Sequence, residues 1–229
     1  MTHEEFLNVF PQAIHNYQPS PTTIAQISKV KLLLVVGPFG VGKTTLMESL
    51  GLPYVPSDVT RPPRPGEKDG KDYFFRNDFE RILTEIAEGS FVQVAISPDG
   101  EFYSTRATSY PVEGWASISI IAEVVPIFRN LGFAQSITAF ITPPTYDDWM
   151  SRLATHQMDA TYLNNRLAEA RRSFGFALND QNTHFILNDL VDPAVAQLKA
   201  LMDNQIDKDR ESSGYQAAQQ IFATINKRA

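Results

Sequence analysis

Cysteine is absent from all 229 residues, which excludes a disulfide framework, a thiolate zinc site and thiol catalysis. Also missing is any apolar run approaching the about 20 residues that a membrane span requires. The opening MTHEEF carries acid where a secretory leader carries base, so the expected location is the cytoplasm, with no membrane attachment. Surplus basic charge is lacking too. With 20 Lys and Arg against 26 Asp and Glu, the formal charge is −6, which argues against general affinity for nucleic acid or an anionic surface. No repeat or low-complexity tract interrupts the chain. At 43% hydrophobic and 20% charged, the composition is that of an ordinary globular chain, long enough for one full core with small appended lobes.

The pattern along the chain alternates strand and helix. Thr2 with Glu5 makes a capping box ahead of Phe6, Val9, Phe10 and Ile14, a short amphipathic helix. QPSPTT (18–23) reads as a turn or linker, because two prolines in three residues oppose helix. KLLLVV (31–36) is too short and too evenly apolar for a surface helix and reads as a buried strand of a parallel sheet. A helix capped by Asn77 or Asp78 carries Phe79, Ile82, Leu83 and Ile86 and stops at Gly89. Strands are expected at 91–96, 102–104, 117–121, 136–144 and 184–187. Helices are expected at 123–131, 145–154 and 160–176, at a segment opened by an Asp192 cap with Pro193, and around Tyr215 to Ile225. This is an α/β pattern, with ligands gathering at the carboxyl ends of the strands.

The strand at 31–36 runs directly into GPFGVGKTT, from Gly37 to Thr45. The stretch spells G-x-x-x-x-G-K-[ST], and a helix is expected to start within it. Gly37, Pro38, Phe39, Gly40, Val41, Gly42, Lys43, Thr44 and Thr45 form the candidate nucleotide loop. Its glycines let consecutive amides approach phosphate oxygens at a helix N-terminus. Lys43 bridges β- and γ-phosphates in such a loop, and the Thr44 hydroxyl ligates Mg²⁺. The loop identifies a nucleoside-triphosphate site without choosing among hydrolase, motor and kinase.

Although the chain is acidic, Arg61, Arg64, Lys68, Lys71 and Arg76 crowd into one short stretch, SDVTRPPRPGEKDGKDYFF with its next residue (57–76). That favours a small anionic ligand over a polyanion. Two arginines three apart, stiffened by Pro62, Pro63 and Pro65, suit a phosphate, and Tyr73 adds a hydroxyl. This segment resembles the T-T-R-P-P-R-P-G-E-x-D-G-x-D-Y-x-F of the guanylate kinase family. GEFYST (100–105), FITPP (140–144), NRLAEAR (165–171) and FILND (185–189) extend the resemblance over 29–203.

The resemblance implies a P-loop kinase core: a central parallel sheet flanked by helices, a small nucleoside-monophosphate-binding lobe (57–105) and a helical lid (151–168). The N-terminal helix and linker (1–28) and a C-terminal helical extension (204–229) flank it, packing on the core or forming a dimer contact, so that the chain acts as monomer or homodimer. The implied activity is transfer of the γ-phosphate of ATP to GMP, with small nucleotides as the only substrates. Arg61, Arg64, Tyr73 and Tyr103 would hold the acceptor phosphate, and Ser57, Gln93 and Thr105 would face the base. Arg166 would reach the transferred phosphoryl group, and Asn188 would approach the ATP nucleoside. A different phosphorylated acceptor, or a scaffold without catalysis, are the alternatives.

Departures from the family pattern fall on functional positions. Gln93, in FVQVA, stands where the family carries a carboxylate, and an acidic pair after 117–121 is reduced to Glu123. A lid arginine is missing, with His156 nearest, either as a phosphate ligand or as an exposed helix-end residue. Arg171 and Arg172 either add to the lid's field or lie on a solvated face. Asp147 and Asp148 sit in a first helical turn, where acids belong, and Trp115 and Trp149 read as packing residues.

Overall fold

The computed structural model describes residues 1–64, 66–97, 100–156 and 158–227; Pro65, counted above among the stiffening prolines, lies outside them. In chain order the elements begin with α1 (His3–Ala13), α2 (Pro21–Ile27), β1 (Val30–Val36), α3 (Lys43–Leu50), β2 (Ser57–Val59) and β3 (Tyr73–Phe75). There follow α4 (Phe79–Ala87), β4 (Phe91–Ile96), β5 (Phe102–Arg106), β6 (Gly114–Ser119) and α5 (Val125–Arg129). The chain continues through β7 (Gln135–Thr142), α6 (Tyr146–Ala154), α7 (Ala160–Asn179), β8 (Thr183–Leu187), α8 (Val191–Met202) and α9 (Lys208–Lys227). Two four-stranded sheets result, one in the order β6-β1-β7-β8 and one in the order β3-β2-β5-β4.

The chain divides into two compact units. One holds Met1–Leu32, Pro53–Ala116 and Pro126–Gln135, and the other Leu33–Leu52, Ser117–Val125 and Ser136–Ala229.

In the second unit, β7 and β8 pair in parallel, with Phe140 opposite Phe185. Phe140 also stacks edge-on against Phe174 of α7. The α9 helix covers β8, setting Tyr215 against Phe185 and pairing Arg210 with Asp189. Gly214 of α9 permits this approach, since a Cβ there would come within 3.2 Å of the Phe185 carbonyl.

In the first unit, a core of Phe6, Phe10, Phe79, Ile82, Ile86, Phe91, Val94 and Phe102 joins α1 and α4 to one face of the β3-β2-β5-β4 sheet. Burying each of those aromatic rings contributes about 1.5–3 kcal/mol. The Thr2–Glu5 capping box is present, and Phe6 and Phe10 are the buried residues of α1.

Several sequence-based boundaries need correction. The stretch read as a linker contains α2: Ser20 caps it through the Thr23 amide, and Pro21 occupies its first turn, where a missing N–H costs nothing. Asp192 is not the cap of α8; the cap is Leu190, two residues earlier, and it makes no side-chain cap. Asp78 holds the cap position of α4 without capping through its side chain, because its carboxylate is taken by Arg76 at 2.6 and 2.8 Å. The strand expected at 117–121 begins earlier, at Gly114. The segment expected as helix from 123 is a short 3-10 turn at Ala122–Val124 followed by α5. The basic stretch after 57 holds two three-residue strands, too short for any periodicity to register.

Candidate active site

The loop from Gly37 to Thr45 links β1 to α3, the strand–loop–helix setting its sequence requires. Gly37 and Gly42 cannot carry side chains: their φ angles are +144° and +94°. A Cβ on Gly37 would lie 2.9 Å from the Ile141 carbonyl, and one on Gly42 would lie 2.5 Å from Asn188 Nδ2. Gly42 is the N-cap of α3, so the first orphan amides of that helix face outward from the loop. Lys43 Nζ donates to the carbonyls of Gly37 (2.6 Å) and Pro38 (2.9 Å). Burial lowers its pKa to about 8; the Glu169 carboxylate opposes that shift and the Arg166 cation adds to it. Thr44 and Thr45 are exposed on the first turn of α3.

The loop is gripped from outside by residues of α6 and the end of β8. Trp149 Nε1 donates to the Phe39 carbonyl at 2.8 Å. Asn188 Nδ2 donates to the Val41 carbonyl at 2.7 Å, and Arg152 Nη1 reaches the same oxygen at 3.3 Å. Arg152 Nη2 in turn donates to the Asn188 carbonyl at 2.8 Å. Asn188, 5% exposed, therefore supports the loop in addition to the nucleoside role expected of it. Sequence reasoning missed Arg152 and assigned Trp149 to packing alone. The available signal was helical spacing: Trp149, Arg152 and Leu153 share one face of α6.

Arg166, from α7, stands over the same loop. Its guanidinium lies between the rings of Phe39 (5.1 Å) and Tyr162 (4.5 Å). It donates to Glu169 at 2.5 Å and to the Tyr162 hydroxyl at 2.5 Å. Its Nε is buried and has no partner among the described residues. His156 is exposed, with its ring 4.8 Å from that of Phe39. Arg171 donates to Asn226 and to the Ile225 carbonyl at the end of α9, which takes it out of the lid's field, while Arg172 pairs with Glu123 at 3.2 Å.

The first unit gathers the other candidates on one face of its sheet. Tyr73 pairs with Ser57, and Phe75 with Val59. Val59 pairs with Tyr103, Ala95 with Tyr103, and Gln93 with Thr105. Directly opposed residues share a face, and alternate residues along a strand share it too. Tyr73, Ser57, Thr105 and Gln93 thus form one row across four strands, with Phe75, Val59, Tyr103 and Ala95 in the next. The Phe102 and Val94 side chains point the other way, into the aromatic core.

Arg61 overlies this face. It is 7% exposed, 4.7 Å above the Tyr73 ring, and donates to the Tyr103 hydroxyl at 2.7 Å. Glu67 grips it with two bonds of 2.7 and 2.8 Å. Arg64 differs: it is exposed, and its backbone exchanges bonds with Glu67, the amide donating to the carboxylate and the carbonyl accepting from the Glu67 amide. The two arginines read as a fork are therefore one buried, held cation and one exposed one.

On the opposite face the fully buried Asp58 accepts from Arg76 at 3.0 Å and Arg106 at 3.0 and 3.1 Å. Arg106 also covers the Phe74 ring at 4.7 Å. This buried network ties β2 to β5 and to the start of α4. No local motif announced it, because its partners lie up to 48 positions apart.

A glycine loop closing on a helix N-terminus, an interior lysine and an arginine stacked over the loop define an α/β P-loop nucleotide-binding protein. Comparison with known proteins narrows the class. The model of the family described as guanylate kinase matches residues 29–205. A guanylate kinase from Nostoc sp. is 31% identical over 183 residues, covering 75% of this chain and 89% of the relative. One from Thiobacillus denitrificans is 33% identical over 183 residues, covering 74% and 84%. The solved guanylate kinase of Anaplasma phagocytophilum superimposes with a TM-score of 0.56 at 20% identity, covering 81% of this chain and 92% of the other, a likeness of fold. The chain belongs to the guanylate kinase family.

Proposed function

We propose that the chain transfers the γ-phosphoryl group of ATP to GMP, giving ADP and GDP by direct in-line displacement. The observation that carries the reading is Lys43, whose ammonium lies inside an intact glycine loop, bonded across two loop carbonyls that a triphosphate would replace. A scaffold module has no use for a half-buried cation there, so the catalytic alternative is favoured over the binding one.

In this reading residues 37–45 and Asn188 bind ATP, and Lys43 and Arg166 neutralise charge on the transferred group. Arg61, Arg64, Tyr73 and Tyr103 hold the acceptor's phosphate, while Ser57, Thr105 and Gln93 meet its base. Glu67 keeps Arg61 oriented until that phosphate arrives. The kinase domain is 29–203, with an acceptor lobe at 57–105 and a lid at 151–168.

In this reading the Thr44 hydroxyl, exposed on the first turn of α3, would ligate Mg²⁺, which when bound supplies charge neutralisation between the β- and γ-phosphates. Among the described residues no group of three or more His, Asp or Glu forms a metal cluster. Such a poor donor set fits an ion that arrives with the nucleotide, most of its ligands being phosphate oxygens and water. Among the same residues no helix is long and apolar enough to cross a membrane. The proposed setting is the cytoplasm, the assembly a monomer or homodimer.

A coupled assay of ADP release over a panel of monophosphates tests the reading. GMP is expected to support turnover, and Lys43→Ala to abolish it by removing the loop's only side-chain cation. Unchanged turnover in that variant refutes it.

A further inference from the structure

Gln93 is the last member of the polar row and, among the described residues, the one member of that row with a buried, unpartnered atom. It is 5% exposed, and its Oε1 is buried with no hydrogen-bond partner among the described residues. Its cross-strand neighbour Thr105 makes no bond to it; that hydroxyl meets the Tyr110 hydroxyl at 3.0 Å instead. Nor do the charged groups nearby. Arg106, next in sequence to Thr105, turns to Asp58 on the opposite face, and Arg61 is committed to Glu67 and Tyr103. A buried amide oxygen without a partner opposes folding, so its retention points to a ligand that supplies the donor. The phosphate end of the site is fixed at Arg61, Tyr73 and Tyr103. Gln93 stands at the far end of the row, where the base of a bound nucleotide would lie.

An amide offers one acceptor and one donor side by side. The 6-oxo edge of a purine offers the complement: N1–H donates to Oε1, and the 6-oxo oxygen accepts from Nε2–H. That pair is complete without position 2 of the ring. A carboxylate differs, because its two oxygens can accept from N1–H and from a 2-amino group together. We propose that Gln93 makes this a site for 6-oxopurine nucleoside monophosphates as a class, reading N1–H and the 6-oxo oxygen and leaving the 2-amino group unread. GMP and IMP are then nearly equivalent acceptors. The proposal rests on the kinase reading above and sharpens its substrate class.

The test compares GMP and IMP by kcat/KM and, without ATP, by calorimetric affinity, in the wild type and in Gln93→Glu. In the wild type, GMP and IMP should differ by less than about fivefold, since the pair at positions 1 and 6 is the same for both. Gln93→Glu should raise the GMP:IMP ratio by about ten- to a hundredfold, by adding a charge-assisted bond to the 2-amino group. The wild-type ratio requires no variant to fold, so it decides even if the buried carboxylate proves disruptive. A wild-type preference for GMP over IMP of about a hundredfold, or an unchanged ratio in Gln93→Glu, would overturn the proposal. Equal binding of GMP and IMP with no turnover of either would overturn the kinase reading and leave the base reading standing.

Discussion

Removing the Asn188 side chain should loosen the nucleotide loop before it alters any contact with ATP. Its Nδ2 donates at 2.7 Å to the Val41 carbonyl from a site that is 5% exposed. Asn188→Ala leaves that carbonyl with only the longer 3.3 Å bond from Arg152. Losing a buried hydrogen bond and under-satisfying its acceptor costs about 1–3 kcal/mol. Arg152→Ala should cost a similar amount, because it strips both the Val41 and the Asn188 carbonyls of a charged donor.

The two residues converge on one oxygen, so their effects should not add. A double-mutant cycle is expected to show coupling of about 0.5–3 kcal/mol. Urea unfolding followed by tryptophan fluorescence reads the stability directly, with Trp149 bonded to the neighbouring Phe39 carbonyl as the reporter. ATP affinity, measured separately, should fall in proportion to the loss of loop order. Wild-type stability in Asn188→Ala together with weakened ATP binding would refute the reasoning, since Asn188 would then be a nucleotide contact alone.

Two further outcomes follow from the charges at the loop. The Lys43 pKa is lowered to about 8 by burial, so in the free protein the amine is charged below that value and neutral above it. Bound phosphates raise the pKa again; ATP binding should therefore take up a proton near pH 8 and weaken about tenfold by pH 9. Calorimetry in buffers of different ionisation enthalpy checks this, and binding independent of pH between 7 and 9 contradicts it. Arg166→Ala should lower kcat far more than it alters either substrate's affinity, because the cation is already held over Phe39 by Tyr162 and Glu169; steady-state kinetics giving the reverse pattern would take Arg166 out of the catalytic set.

The nucleotide loop was legible because its chemistry is local: nine consecutive residues carry the glycines, the lysine and the threonine, and the apolar strand before them sets the context. The residues proposed to bind the acceptor were named as a set through resemblance, while the reason they share a face was not legible. That depends on the register of β2 between β3 and β5, and strands of three residues have no readable period. Glu67 went unremarked although it lies six residues from Arg61, since spacing does not reveal which of several carboxylates an arginine will choose. The Asp58 network and the Arg152 grip needed the fold itself. The helix at Pro21 was misread from proline content alone, when the Ser20 before it was the deciding residue.

The family match begins at residue 29, yet α1 supplies two of the five phenylalanines in the core beneath the acceptor sheet. The amino terminus itself reaches the Glu80 carboxylate. A boundary drawn by homology would therefore cut through a folding unit. A fragment starting at residue 29 would present Phe79, Phe91 and Phe102 to water as one adhesive patch, and would precipitate or recruit foreign chains. The α1 helix is in this sense part of the lobe's own core and not an appendage to it.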